Sequence, residues 1–241
     1  MESRNKNANQ QQQQQRGQMR NADGMFKSAM KLYLRNETNQ NWHEVFAVMS
    51  DAAEAGSNEA VAALGTFFDY GIGTKKAPSR AVACYRKAAR VGNSEAQFNL
   101  GLAYYEGRGV KRNYRAAFGW FVKSAKQKVP EALHMLGYCY RYGRGVRKDV
   151  AKGFRYEMAA AKLGYGEAQF SVGVCFSRGE GVLENPKEAM KWYLKAARKG
   201  HDDAAYNVAH LYETGRGVRP NPQQAKYWSE RAKEFKNHSS G

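Results

Sequence analysis

Cysteine is scarce in this 241-residue chain: it has three, Cys84, Cys139 and Cys175, with no CxxC spacing among them. That argues against a disulfide framework and for a reducing compartment. Long apolar runs are missing too, since none approaches the roughly 18 residues that a membrane span requires. The N-terminus lacks the apolar stretch of a secretory signal. Its basic residues Arg4, Lys6, Arg16 and Arg20 leave an organellar presequence open. The first 24 residues are dominated by Gln and Asn, however, and make a poor amphipathic targeting helix, so a cytoplasmic location is the expectation. Acidic residues are few as well, 22 against 39 Lys and Arg, for a net charge of +17. Such a field favours acidic protein surfaces, nucleic-acid phosphate or anionic membrane.

Catalytic patterns are also absent. The five histidines (His43, His134, His201, His210 and His238) form no motif, and there is neither a His-Glu-x-x-His spacing nor a Ser in a Gly-x-Ser-x-Gly setting. An enzyme needs unlike groups converging on one point, so the expectation is a protein that is not an enzyme. A zinc site from Cys139, Cys175 and a histidine would lack the paired short spacings that make such sites recognisable. The two cysteines read instead as small buried core residues, and no cofactor or metal is expected.

What the chain has is periodicity. Residues 1–24, with an unbroken glutamine tract from Gln10 to Gln15, offer too little apolar surface to offset ordering entropy and read as disordered. From Met25 the pattern turns helical. Met25, Phe26, Ala29, Met30, Tyr33 and Leu34 share one face, Asn36 to Gln40 reads as a loop, and Trp42 to Ala55 is a second helix ended by Gly56. Residues 25–56 are thus a divergent helical hairpin. A regular array follows over 57–236, with a short tail at 237–241. Gly65, Gly101, Gly137 and Gly173, with Ala209 in the fifth place, recur every 36 residues, as do the loop glycines Gly73, Gly109, Gly145, Gly181 and Gly217.

Each column has a physical reading. Leu64, Leu100, Leu136, Val172 and Val208 are core positions, and Phe68, Tyr104, Tyr140, Phe176 and Tyr212 extend the same face one turn later. The small residue between them lets two helices approach closely. In the second helix Trp120, Tyr156, Trp192 and Trp228 share a column whose first member is Cys84, and the pairs Ala88-Ala89, Ala160-Ala161 and Ala196-Ala197 allow close packing near the helix end. The loop glycines read as positive-φ turn residues, with Val110, Val146, Val182 and Val218 tucked back under the hairpin.

Two stretches carry a family signal: EAQFNLGLAYYEGRGV over Glu95–Val110, and KEAMKWYLKAARKG over Lys187–Gly200. Both resemble the Sel-one-like repeat, a branch of the tetratricopeptide-like solenoids with units of about 36 residues. The resemblance spans about Ser57 to Lys236, with a weaker copy over Met25–Gly56. It implies an all-α solenoid, a right-handed superhelix of stacked antiparallel helix pairs. It also implies an adaptor or scaffold for protein complexes. Cysteine-stapled secreted members of the family are a poor analogue, because Cys139 and Cys175 share a column in successive repeats while Cys84 sits elsewhere.

Two surfaces follow as candidates. Helical geometry sends Tyr105, His134, Tyr138, Arg141, Tyr142, Arg178 and His210 toward a concave groove lined by the first helix of each pair. Of these, Tyr105, Tyr138, Arg141 and Tyr142 are the preferred exposed contacts, as Tyr and Arg commonly anchor interfaces. Around the loops, Arg108, Lys111 and Arg112, then Arg144, Arg147 and Lys148, then Arg216 and Arg219 recur at matching positions and would form a basic edge. The loops themselves read as helix-ending turns rather than phosphate cradles, because no Walker lysine accompanies them. The leading expectation is an adaptor that binds another protein, one with an acidic surface or an extended peptide. The alternative is a ribonucleoprotein subunit whose basic edge lies on RNA phosphates.

Overall fold

The computed structural model describes residues 21–35 and 41–239. The expected glutamine tract and the loop at Asn36–Gln40 lie outside them. Among the described residues the secondary structure is helical throughout. α1 covers 21–35, taking in residues 21–24 from the segment expected to be disordered. Then come α2 (Trp42–Glu54), α3 (Asn58–Tyr70), α4 (Pro78–Arg90), α5 (Ser94–Glu106), α6 (Tyr114–Lys126), α7 (Pro130–Tyr142), α8 (Val150–Lys162), α9 (Gly166–Arg178), α10 (Pro186–Ala197), α11 (Asp202–Thr214) and α12 (Pro222–Ser239). The last helix runs through the expected tail as far as Ser239.

The chain forms two compact units, residues 1–120 and 121–241. In the first, α3 pairs with α4 and also packs on α2, while α5 follows on α4. In the second, α7 pairs with α8, α9 with α10 and α11 with α12, each pair stacking on the next. The odd-numbered helices from α3 onward are hereafter the A helices and the even-numbered ones the B helices.

Three local devices set this geometry. At the start of the B helices, Asn113, Asp149, Asn185 and Asn221 cap with the side-chain oxygen, accepting the backbone N–H three residues on. The backbone N–H of each capping position also reaches back to an A-helix aromatic carbonyl: Asn113 to Tyr104, Asp149 to Tyr140, Asn185 to Phe176 and Asn221 to Tyr212, at 2.8–2.9 Å. The A-to-B turn is therefore closed by main-chain bonds that survive any change of the donor residue except to proline. The third device is the glycine pair of the loop. Gly179 ends α9 in the left-handed conformation with φ 69°. Gly181, also left-handed at φ +73°, lies against the start of α8, where a Cβ would come within 2.5 Å of the Val150 carbonyl oxygen. Turn conformation is thus only part of what the second glycine supplies; the rest is room for the neighbouring repeat.

The expected core column just before the A-helix glycine is buried, while Tyr104, Phe176 and Tyr212 one turn later are half-buried. Leu100, Leu136, Val172 and Val208 have at most 1% exposure, each contributing about 1.5–3 kcal/mol relative to an exposed side chain. The alanine pairs of α4, α8 and α10 are likewise buried. Two buried glutamines stitch successive pairs together, Gln97 donating to the Ala89 carbonyl and Gln169 to the Ala161 carbonyl.

Candidate functional site

Opposite the A-helix glycines Gly65, Gly137 and Gly173 stands a B-helix side chain twenty positions later in the sequence. At Gly65 it is the ring of Tyr85, and at Gly173 the ring of Tyr193; a Cβ on either glycine would meet that ring at 2.4 Å and 2.6 Å. At Gly137 it is a carboxylic acid, Glu157. Its side chain is 3% exposed, and its Oε2 lies 2.7 Å from Nδ1 of His134. Burial pushes the Glu157 acid above its ordinary range, opposed by His134 and Arg141. The His134 ring in turn packs on Tyr165, with centroids 5.5 Å apart.

Arg141 completes this cluster. It donates from Nη2 to Cys175 Sγ and pairs from Nη1 with Glu180 at 3.4 Å, leaving the side chain 13% exposed. Two of the expected groove residues thus have partners inside the second unit: the His134 Nδ1 faces Glu157, and Arg141 is engaged by Cys175 and Glu180. Sequence reasoning missed Glu157 and Glu180 as partners. The readable signal was a carboxylate in a column that otherwise carries Tyr85, Phe121, Tyr193 and Ser229.

The remaining groove residues are distributed as follows. Tyr105 is half-buried with its ring 5.0 Å from Tyr114. The Tyr138 and Tyr142 rings meet at a tilt with centroids 4.4 Å apart, and Tyr142 is 54% exposed. Arg178 and His210 are both exposed, the first 3.8 Å from Glu180 and the second 4.0 Å from Glu213. In the second unit, then, Tyr138, Tyr142, Arg178 and His210 project from the A helices of three successive pairs.

Two of the residues expected on the basic edge are ion-paired. Arg108 pairs with Asp69, whose side chain is 6% exposed, and with Glu106. Arg216 pairs with Glu184 at 2.6 Å and donates to the Ser177 carbonyl. Both arginines brace one repeat to its predecessor. The Arg141–Glu180 pair occupies the same two positions with the charges exchanged. Lys111, Arg112, Arg144, Arg147, Lys148 and Arg219 are exposed, with the Arg112 guanidinium 5.7 Å over the Tyr114 ring.

The thiols are poorly suited to nucleophilic work. Burial raises Cys139 to about 12 and Cys175 to about 11, in the latter case against the lowering effect of Arg141, so both are protonated at neutral pH. No group of three or more His, Cys, Asp or Glu among the described residues is placed to hold a metal ion.

Comparison with known proteins places this geometry. The family model for the Sel1 repeat matches five successive segments, 58–93, 94–129, 130–165, 166–201 and 202–234. Among solved structures, a Sel1 repeat protein from Oxalobacter formigenes is 28% identical with a TM-score of 0.78, the match covering 87% of this chain and 82% of that one. A protective antigen of uropathogenic Escherichia coli strains, described as displaying an SLR fold, is 25% identical with a TM-score of 0.78; the match covers 90% of this chain but only 46% of the antigen. An immunity protein from Pseudomonas aeruginosa shares the fold at 22% identity and a TM-score of 0.59, over 89% of this chain and 82% of its own. No curated protein matches the sequence. The matched segments run over most of the chain and coincide with the helix pairs described above, and the chain belongs to the Sel1 repeat family.

Proposed function

We propose that this protein is a non-catalytic adaptor that holds a protein partner on the A-helix face of its second unit. Sel1 repeats generally mediate protein–protein interaction on a fold that is generally a non-catalytic scaffold, and this supports the class. The single observation that carries the finer reading is the tilted Tyr138–Tyr142 ring pair, half exposed at its Tyr142 end. Tyrosines bring large contact area at low entropic cost, and interface anchors are enriched in them. Arg178 and His210 extend the patch, and the exposed loop cations Arg147, Lys148 and Arg219 suit an acidic partner.

Capture with the full-length chain after nuclease treatment should recover one stoichiometric protein. Replacing both Tyr138 and Tyr142 by Ala should weaken that complex by about 2 kcal/mol or more, as for typical hot spots, with an unchanged melting curve. Arg141 is left intact in this test because it braces the fold. Binding of generic RNA near physiological salt, lost when Arg147, Lys148 and Arg219 are neutralised, would replace the adaptor reading with the ribonucleoprotein one.

A further inference from the structure

In the second unit, the A-helix residue three before the glycine seats its ring on a second ring that follows the B helix. His134 lies on Tyr165 at 5.5 Å, and Phe170 stacks on His201 at 4.4 Å. The same two places in the first regular repeat are Ala62 and Asn93, neither of which has a ring. Both line a cavity of about 270 Å³ in the first unit, walled by Phe26, Met30 and Tyr33 of α1 and by Phe67, with Glu59 and Glu95 also lining it. The cavity is the seat of a missing ring pair, left open on a largely apolar wall.

We propose that this seat is a docking site for a protein segment bearing a large apolar side chain, aromatic foremost, next to a Lys or Arg. The size favours a side chain over a cofactor, since ligand pockets run from about 300 Å³ upward. The wall favours a ring: Tyr33 and Phe67 already lie 6.0 Å apart at a tilt, and a further ring gains from the edge-to-face geometry that aromatic clusters prefer. The sign of the neighbouring charge follows from complementarity. On a chain with net charge +17, the charged residues lining this cavity are Glu59 and Glu95, both exposed. Among the described residues neither is ion-paired; Glu59 is held only by a long bond from the Ser57 hydroxyl at 3.5 Å. Both stand in the first turn of an A helix, so the partner's cation would meet two carboxylates. This deepens the adaptor reading, on which it rests only in taking the ligand to be a protein segment, and it places a second contact of opposite charge preference on the first unit.

The test is a randomised peptide library selected on the immobilised full-length chain, followed by fluorescence anisotropy with the enriched peptides. The expected consensus is a large apolar residue adjacent to Lys or Arg. Ala62→Phe, which installs the ring that the chain itself carries at Phe98 and Phe170 and so keeps the fold, should weaken binding about tenfold or more. Glu59→Gln with Glu95→Gln should weaken it several-fold and flatten its salt dependence. Enriched peptides without that pairing, or with affinity indifferent to Ala62→Phe, would overturn the proposal. If the peptides are lost instead on replacing Tyr138 and Tyr142 by Ala, this site fails while the adaptor reading stands. Self-association abolished by Ala62→Phe would give the seat to a second copy of the chain. Peptide affinity that rises when Met19 and Arg20 are changed to Ser would give it to the chain's own leading segment. Either result overturns the proposal.

Discussion

The pairs α7–α8 and α9–α10 share backbone, loop and caps, yet fill the same slot in opposite ways. Opposite Gly173 lies the ring of Tyr193; opposite Gly137 lies the carboxyl group of Glu157. The ring is an apolar body whose one polar group, the hydroxyl, is met by Ser177. Its neighbour in the ring-seat column is Phe170, which stacks on His201 and lies 5.9 Å from Tyr193 itself. The acid brings a polar set with it: His134 where the other pair has Phe170, and Arg141 where it has Ser177. An uncompensated buried carboxylate costs several kcal/mol, so a polar substitution at the slot has to be matched by others on facing elements. The lesson is that a repeat position is not free to vary alone, even where the backbone is indifferent.

The strongest way to break this comparison is to remove the acid. Glu157→Ala leaves the His134 Nδ1 without its partner, removes the acid whose charge attracts Arg141 and opens a void, and should cost about 3–5 kcal/mol in urea unfolding. Making α7–α8 resemble α9–α10, with His134→Phe and Glu157→Tyr together, should recover most of that loss, since buried ion pairs exchange for packed apolar groups at little net cost. The pH dependence separates the two variants further. With its acid held above the ordinary 4.5 by burial, the native state binds more protons than the unfolded one in the window above that value. Wild-type stability should therefore fall as pH rises through the window, and the double variant should lack that slope. A loss under 1 kcal/mol for Glu157→Ala would show that the cluster does not hold the pair together.

How much of this was legible in the sequence depends on whether a residue's partner lay at a fixed column offset within a repeat. The core columns, the alanine pairs and the glycine spacing were readable because stacking repeats them, or a small substitute, in most copies. Arg108 and Arg216 were read as a stripe because their partners Asp69, Ser177 and Glu184 lie in the preceding repeat and differ from copy to copy. The exchange of Asp69 and Arg108 for Arg141 and Glu180 was visible as two columns changing sign together, but only pairing those columns gives it meaning. Helical geometry placed His134 and Arg141 on the groove side; the His134 Nδ1 turns to Glu157, a residue that looks unremarkable until its column is compared, and Arg141 turns to Cys175 and Glu180 in the next repeat. The ring seat at Ala62 was illegible for a related reason: an alanine reveals a missing ring only beside Phe98, His134, Phe170 and Tyr206.

A smaller effect sharpens the slot itself. Gly173→Ala would place a Cβ 2.6 Å from the Tyr193 ring and should cost about 1–3 kcal/mol by overpacking. The chain already carries the compensated version, Ala209 with Ser229 at the matching B-helix position. In a Tyr193→Ser background the cost of Gly173→Ala should therefore vanish or reverse, since Ala is favoured over Gly in a helix by about 0.5–1 kcal/mol. A double-mutant cycle by urea titration measures the coupling. Additivity would mean that the ring is not what forbids a side chain at the glycine column.

The smallest difference lies in the braces. Arg108 and Arg216 occupy equivalent loop positions, but the first faces an Asp69 side chain that is 6% exposed, whereas Arg216 and Glu184 are each 51% exposed. Arg108→Met strands a buried carboxylate and should cost about 1–3 kcal/mol. Arg216→Met gives up a solvated pair and should cost under about 1 kcal/mol, shrinking further in high salt. Equal costs would show that exposure does not set the value of the brace. An ordering with Arg216 the costlier would mean that its bond to the Ser177 carbonyl, rather than either ion pair, joins successive repeats.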